Sequence, residues 1–333
     1  MSENITTLDI KGKVSTLLKN SIEQSEIENL INEIHAYFKE LTQLTGFDNH
    51  IEHLASITTA KGKALGLNHA AQCLLDYKRT VKFLKAMVMA IKEKQQNYPN
   101  ETIRVFYAGC GPYAPFITLI APLFSPEEIQ FSLLEINDKS LEYAKNLIKK
   151  LELTNYVTNY YTADAVTFKI PEPEKYHILF SETLDALLYR ECYVPILFNL
   201  LPQLPKDTAV IPENVLIKMS LATDLIADTK HTPVEVDTVI DVREAISLNT
   251  VNTIVPTQLP DKKVAVKSLN IEQYNYLLLD TLVHVYGNIW LTRNESSLTI
   301  PLEMGIEHPF HFNSIIYTYQ MDPDIELKYS LEK

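Results

Sequence analysis

The stretch Ile103–Pro115, IRVFYAGCGPYAP, places a mostly apolar run directly before two glycines, Gly109 and Gly111. An apolar run that ends in closely spaced glycines is typical of a buried strand followed by a tight turn. In open α/β sheets, ligands bind at the carboxyl ends of the strands, where such turns lie. The stretch therefore predicts one strand of a parallel sheet and the ligand-binding edge of that sheet.

Strand and helix patterns alternate after this turn. This βαβα order predicts a parallel, Rossmann-like sheet covered by helices on both faces, in a domain of residues 99–215. The predicted helices are APFITLIAPLF, NDKSLEYAKNLIKKLEL and CYVPILFNLLPQL. The predicted strands are IQFSLLEI, VTNYYTADA, YHILFSE and TAVIPENVLIKMSL.

The two ends of the chain differ from this middle part. Residues 1–98 carry apolar residues at helical spacing, which predicts an N-terminal helical region. Residues 216–333 hold short β-rich runs, which predict an antiparallel, β-barrel-like domain because closure removes unpaired edges. The expected fold class is therefore α/β plus β. The helical region can roof a pocket, recognise the substrate or form a homodimer.

The composition restricts the partners of the chain. Of its 333 residues, 46% are hydrophobic and 22% are charged, as in globular proteins. The formal net charge of −12 opposes contact with a phosphate backbone, so no nucleic-acid partner is expected. An acidic protein attracts a cationic substrate, although an acidic surface also serves solubility alone.

The cysteines and the apolar runs indicate the compartment. Cys73, Cys110 and Cys192 lie far apart and form no CxxC or Cys/His cluster, so neither a metal site nor a disulfide is predicted. The N-terminus lacks a secretory signal, and no apolar run reaches the roughly 18 residues of a membrane span. We expect a cytoplasmic protein without membrane contact.

Acidic residues end the next two predicted strands. Glu135 follows FSLL, where an acid can accept both hydroxyls of a ribose, and Asp164 follows YYTA, where it can accept from the amine of adenine. The third glycine of a dinucleotide fingerprint is absent, and no GKS/T follows, which disfavours NAD and ATP. The pattern suits S-adenosylmethionine, although sheet turns and helix caps also use Gly, Asp and Glu.

Two glutamates follow the fourth predicted strand. Ser181 and Glu182 lie at its carboxyl end, beside the expected cofactor, and Glu191 follows nine residues after Glu182. Two carboxylates in one pocket repel each other unless a cation compensates, and a guanidinium offers N–H forks that carboxylates grip. The alternative is that Glu182 caps a helix and Glu191 is a solvated charge.

These residues resemble the protein arginine methyltransferases. The family's double-glutamate loop has Ser-Glu, eight residues and a second Glu, and Ser181, Glu182 and Glu191 have that spacing. VIPENVLIKMSL is similar to the family's fifth strand, after which its members enter a β-barrel. LLDYKRTVKF is similar to the family's Asp-x-x-Arg-Thr-x-x-aromatic helix, whose motif is matched by Asp76, Arg79, Thr80 and Phe83.

The resemblance implies arginine methylation with S-adenosylmethionine. It implies that Arg79 grips the carboxylate of the cofactor and that the two glutamates hold the guanidinium. The chain departs from the family at Tyr107, where the family has an acid, and at Tyr113. The Thr-His-Trp motif that closes the pocket in the family is not evident in this chain. His308 and His311 are therefore candidates for an analogous substrate-binding role, although a histidine with satisfied hydrogen bonds in the barrel is the simpler interpretation of either.

The sequence thus predicts an N-methyltransferase acting on the guanidino group of arginine. The unmatched N-terminal helices slightly favour free arginine or a small guanidino compound over an arginine-containing peptide. Two alternatives stay open. The enzyme can methylate another amine or hydroxyl with one glutamate as base, or the chain can be a non-catalytic scaffold that binds the cofactor.

Overall fold

The computed structural model describes residues 7–224, 232–249 and 254–333. Helices dominate its N-terminal part, as predicted, and none in the described residues is long and apolar enough to cross a membrane. Two short strands between the third and fourth helices form an antiparallel hairpin, where the helical prediction was wrong. In chain order the elements are α1 (Thr7–Leu17), α2 (Gln24–Thr42), α3 (Ile51–Leu54), β1 (Ile57–Thr58), β2 (Lys63–Ala64), α4 (Leu67–Gln72) and α5 (Tyr77–Asn97).

The long helices of this region follow from their apolar spacing. In α2, Ile27, Ile31, Ile34 and Phe38 recur every three or four residues and are buried. Residues at this spacing share one face of a helix, and burying that face stabilises the helix far more than its intrinsic propensity does. The buried face of α5 has the same origin and packs against the central sheet.

The middle of the chain forms the predicted five-stranded parallel sheet, in the order β5-β4-β3-β6-β7. β4 and β6 flank β3 on opposite sides and run parallel to it. The turns after all three strands therefore meet at one edge of the sheet. The helix predicted after β3 is short because Pro115 begins it and Pro122 follows closely. The elements are β3 (Ile103–Ala108), α6 (Pro115–Thr118), β4 (Ile129–Glu135), α7 (Asp138–Lys150), β5 (Val157–Thr162), β6 (Ile178–Ser181), α8 (Tyr193–Leu200) and β7 (Ala209–Ile211).

The remaining strands are antiparallel. One sheet has the order β12-β11-β8-β9, with β13 also paired to β11, and a second has the order β10-β14-β15. Within the described residues these strands form two sheets, and a closed barrel is not found. The elements are β8 (Asn214–Ala222), β9 (Val234–Asp241), α9 (Val242–Ser247), β10 (Lys262–Ala265), β11 (Tyr276–Tyr286), β12 (Ile289–Leu291), β13 (Leu302–Gly305), β14 (Ser314–Gln320) and β15 (Glu326–Glu332).

An aromatic cluster fixes α5 against the parallel sheet. The Phe83 ring of α5 lies 5.9 Å from both Phe116 and Phe180, and the latter two lie 4.4 Å apart. Tyr107 of β3 packs edge-on against Phe180. Because Arg79 lies one helical turn before Phe83, this packing aims Arg79 at the carboxyl edge of β6.

Candidate active site

The turn after β3 needs its two glycines for different reasons. Gly109 and Gly111 have φ values of 74° and 67°, which favour glycine. A Cβ on Gly109 would lie 2.3 Å from Cγ2 of Thr183, whereas a Cβ on Gly111 would meet nothing within 4 Å. Gly109 therefore allows close packing of β3 against the loop after β6, and Gly111 leaves open space above the turn.

Glu135 closes the same turn from the end of β4. Its Oε2 accepts from the Gly111 amide at 2.8 Å, and its Oε1 accepts from the Asn137 amide at 3.0 Å. Burial raises the pKa of Glu135, and these amide bonds oppose the rise. Each carboxylate oxygen keeps a second lone pair for another donor.

Asp164 lies after β5 and joins the N-terminal region to the sheet. Its Oδ1 accepts from the Val166 amide at 2.9 Å, and its Oδ2 accepts from the Ala60 amide at 2.6 Å. Ala60 belongs to residues 59–65, which comprise the β1–β2 turn, β2 and Leu65 and which we call the roof segment. The roof segment thus reaches across the sheet edge and contacts a predicted cofactor-binding residue.

Glu182 is paired with Arg79 directly after β6. The Arg79 Nε donates to Glu182 Oε1 at 2.5 Å, and its Nη2 donates to the Glu182 carbonyl at 3.3 Å. The side chains are 6% and 10% exposed, so this is a buried ion pair. Burial raises the pKa of Glu182, and the positive charge of Arg79 opposes the rise. Glu182 Oε2 makes no hydrogen bond to any described residue.

Glu191 differs sharply from Glu182. Burial raises its pKa to about 8, with Arg79 opposing the rise and the nearby carboxylates Asp185 and Glu182 reinforcing it. No hydrogen bond or ion pair joins its carboxylate to another residue in the described part of the chain. Glu191 is therefore a half-buried acid that lacks a partner for its charged form.

The loop between the two glutamates has a strained shape. Leu187 and Leu188 have φ values of 60° and 55°, which is rare for residues other than glycine. The Leu187 amide donates to Thr281 Oγ1 and the Tyr319 hydroxyl donates to the Leu188 carbonyl, both at 2.7 Å. The antiparallel sheets thus hold the loop in a conformation that it would not adopt alone.

Seven of the predicted site residues line one cavity at the carboxyl edge of the sheet, which we call the inner cavity. Ser181 is 1% exposed and does not line it; its hydroxyl shares a hydrogen bond with Thr183 at 3.0 Å. Ser181 therefore supports the loop after β6 and does not face the cavity. The seven residues are Arg79, Gly109, Gly111, Glu135, Asp164, Glu182 and Glu191.

A larger outer cavity adjoins the inner one and opens between the N-terminal helices, the double-glutamate loop and the antiparallel sheet. Arg79 and Glu191 line both cavities, whereas Glu182 lines only the inner one. A molecule that enters from the outer cavity would therefore meet Glu191 first. The other residues that line both cavities are Lys63, Ala64, Leu65 and Cys73.

The roof segment is the part of the site that the sequence analysis missed. Lys63 lies opposite Glu191 in an isolated parallel bridge, and its amide donates to the Arg190 carbonyl at 3.4 Å. Lys61 forms an ion pair with Asp322 at 3.0 Å. The available hairpin signal was the β-branched run Ile57–Thr59, which is followed by Ala-Lys-Gly-Lys. The surrounding helical periodicity concealed this signal.

The two candidate histidines lie elsewhere in the described structure. His308 is exposed, with Nδ1 2.9 Å from a Glu272 carboxylate oxygen and Nε2 2.9 Å from the Tyr274 carbonyl. His311 is also exposed, and neither histidine lines the inner or the outer cavity. Their substrate-binding role therefore gains no support from their positions.

Two solved structures share this architecture, although no protein-family model and no curated protein sequence matches the chain. The PRMT6–SAH crystal structure has a TM-score of 0.52 and 11% identity, and the match covers 80% of this chain and 100% of that one. Protein arginine methyltransferase 10 of Arabidopsis thaliana, in an open conformation, has a TM-score of 0.50 and 14% identity, with 80% and 97% coverage.

The fold is that of the protein arginine methyltransferases. At identities of 11% and 14%, the likeness concerns the backbone arrangement alone. Within this arginine methyltransferase fold, the residues of the inner cavity come from the edge at which open α/β sheets bind ligands.

Proposed function

We propose that the protein is an S-adenosylmethionine-dependent N-methyltransferase that acts on the guanidino group of arginine. The observation that carries the proposal is that Glu182 and Glu191 both line the inner cavity, together with the glycine turn. Had the two side chains faced separate spaces, no single cation could satisfy both. The similarly folded PRMT6, whose crystal structure contains SAH, the product form of this cofactor, adds support.

The residues that line the inner cavity suit the chemical groups of the cofactor. The open space at Gly111 lets a ligand approach the backbone closely, and the spare lone pairs of Glu135 suit the two hydroxyls of a ribose. Asp164 would accept from the adenine amine, and the Arg79 guanidinium would face the carboxylate. When bound, S-adenosylmethionine supplies a methyl group on a positively charged sulfur.

The two glutamates would hold the acceptor. Glu182 offers Oε2, because its Oε1 already accepts from Arg79. Glu191 offers a whole carboxylate, which a guanidinium would keep ionised by supplying the missing positive charge. Hydrogen bonds to both glutamates would orient the attacking nitrogen, and Glu191 can accept the proton that this nitrogen loses after methylation.

One observation favours a second candidate, which is methylation of another amine or a hydroxyl. The raised pKa of Glu191, about 8, lies near the pH at which a general base works best. Since Arg79 already balances the charge of Glu182, Glu191 alone could serve as that base. The guanidino proposal is preferred because it accounts for both carboxylates.

The departures from the family do not block the inner cavity. Tyr113 does not line it, since its hydroxyl donates to the Leu44 carbonyl at 2.6 Å in the N-terminal region. Tyr107 does line it, but its hydroxyl donates to the Cys110 carbonyl at 3.2 Å. These two departures therefore no longer argue for the hypothesis of a non-catalytic scaffold.

The test is incubation with labelled S-adenosylmethionine and one acceptor at a time. The acceptors are free arginine, an arginine-containing peptide, a lysine-containing peptide and a serine-containing peptide, with mass spectrometry of the product. Label on a guanidino nitrogen supports the proposal. Label on lysine or serine alone would favour the second candidate. Calorimetry that detects no binding of the cofactor or its product would favour the scaffold.

A further inference from the structure

Several large apolar side chains that line the outer cavity are exposed. Phe47 is 66% exposed, Leu54 50%, Tyr189 47% and Leu302 43%, and all four line this cavity. They come from the N-terminal region, the double-glutamate loop and β13, so the chain brings them together only by folding. We call these four residues the apolar rim. Exposed apolar residues that are gathered at one cavity, and not scattered singly over the surface, mark a contact surface.

The rim is continuous with the proposed acceptor site. The outer cavity meets the inner one at Cys73, Arg79 and Glu191, so a chain that delivers an arginine to Glu191 would lie across the rim. The outer cavity has a volume of about 1420 Å³. Pockets for small molecules usually have roughly 300–1,000 Å³. The space is therefore larger than a free guanidino compound needs.

The charges of the outer cavity do not favour a strongly basic partner. Several acids already have partners: Asp185 binds Arg190 at 3.2 Å, and Glu295 binds Lys82 at 2.7 Å. The surface beside Glu191 therefore offers no net negative charge to a run of basic residues. The four basic and four acidic lining residues are Lys63, Lys78, Arg79, Arg190, Asp76, Asp185, Glu191 and Glu295.

We propose that the acceptor arginine belongs to a polypeptide segment with bulky apolar residues beside it. Phe47, Leu54 and Leu302 contact those residues while the arginine side chain reaches Glu191. This inference rests on the proposed function and specifies its substrate. It reverses the slight preference of the sequence for a small guanidino compound.

The experiment compares peptides of the form acetyl-X-Gly-Arg-Gly-X-amide, where X is leucine, serine or lysine, together with free arginine. The leucine peptide should have a kcat/KM about tenfold above the serine peptide, because each contact with the rim buries apolar surface. The lysine peptide should be no better than the serine peptide, because the outer cavity has balanced charge. Free arginine should be the poorest acceptor.

A matched pair of variants on one helix tests the rim itself. Leu54→Ser should reduce kcat/KM for the leucine peptide about fivefold and leave the serine peptide unchanged. Ile51→Ser is the control, because Ile51 lies on the same helix, is 83% exposed and does not line the outer cavity. Both variants should unfold at the wild-type urea concentration.

Four results would overturn the inference. Equal kcat/KM for all peptides, or a preference for free arginine, would refute it while the proposed function stands. Absence of transfer to every guanidino acceptor would refute both. If light scattering shows a dimer that Leu54→Ser dissociates and Ile51→Ser preserves, a second copy of the chain covers the rim instead of a substrate.

Discussion

The turn after β3 and the loop after β6 follow adjacent strands, yet the carboxylates at these two places have opposite environments. Glu135, at the end of β4, closes the first, and Glu191 belongs to the second. Both oxygens of Glu135 accept backbone amides, whereas the carboxylate of Glu191 accepts no hydrogen bond from the described residues. The carboxylate in the first region therefore has hydrogen-bond partners even without a ligand. The second needs a cation to become complete. Under the proposed function, cofactor binding would therefore require little rearrangement, and acceptor binding would change the protonation state of Glu191.

The largest expected effect comes from replacing Glu191, the carboxylate that lacks a hydrogen-bond partner. Glu191→Gln keeps the shape of the side chain but removes the charge that holds the cation, so kcat/KM should fall about a thousandfold. Labelled methyl transfer measures the loss, and Glu172→Gln on an exposed carboxylate is the control. A loss of less than tenfold would contradict the cation clamp and favour a simple general base.

A second variant tests the buried ion pair that joins α5 to the loop after β6. Arg79→Met leaves Glu182 buried without a countercharge, so the free energy of unfolding should fall by about 3–5 kcal/mol. Lys175→Met breaks the exposed pair with Glu172 and should cost no more than about 1 kcal/mol. Urea denaturation measures both.

The double variant Arg79→Met/Glu182→Gln removes both charges of the buried pair and should regain most of the lost stability. If Arg79→Met costs as little as Lys175→Met, the Glu182 carboxylate does not depend on Arg79.

The pH dependence sharpens the same contrast. The pKa of Glu191 is about 8 in the folded protein, above the ordinary value of 4.5, so the folded state binds the extra proton between these values. The stability that Glu191 contributes is therefore full at low pH and is lost as pH rises through about 8. The difference in unfolding free energy between wild type and Glu191→Gln should change by at most about 1.4 kcal/mol per pH unit.

Denaturation of both proteins at several pH values measures this difference. Parallel curves between pH 5 and 8 would mean that Glu191 is already ionised. Under the proposed function, kcat/KM should rise as Glu191 loses its proton, because the ionised carboxylate is the form that would hold the cation.

The smallest expected effects distinguish the two glycines of the turn. Gly109→Ala meets Thr183 as well as an unfavourable φ, so it should destabilise the fold by more than the roughly 1 kcal/mol expected from backbone strain alone. Gly111→Ala carries only the backbone strain, but its Cβ enters the open space and should weaken cofactor binding. Urea denaturation and calorimetry separate the two effects. Equal cofactor affinity in Gly111→Ala and wild type would argue against that space as the cofactor site.

The sequence predicted what local patterns encode. The apolar runs and the glycines predicted the parallel sheet, and the spacing of the acids predicted which residues end its strands. The structure brings Arg79, Glu135 and Glu191 to one cavity, although their roles there stay predictions.

The features that were missed depend on contacts between distant segments. The ion pair of Arg79 with Glu182 joins residues 103 positions apart, and the roof segment is held by Asp164, Arg190 and Asp322. No local pattern encodes such contacts. The barrel expectation had a similar weakness, because strand content does not specify whether two antiparallel sheets close on each other.

Tyr113 shows how the N-terminal helices and the glycine turn depend on each other. Its buried hydroxyl donates to the Leu44 carbonyl, and its ring packs edge-on against His35 and Phe38 of α2. A fragment that begins after Leu44 would expose this ring and orphan its hydroxyl. The parallel sheet is therefore not a portable module, and any chimera that transplants this sheet into another chain must carry α2 with it.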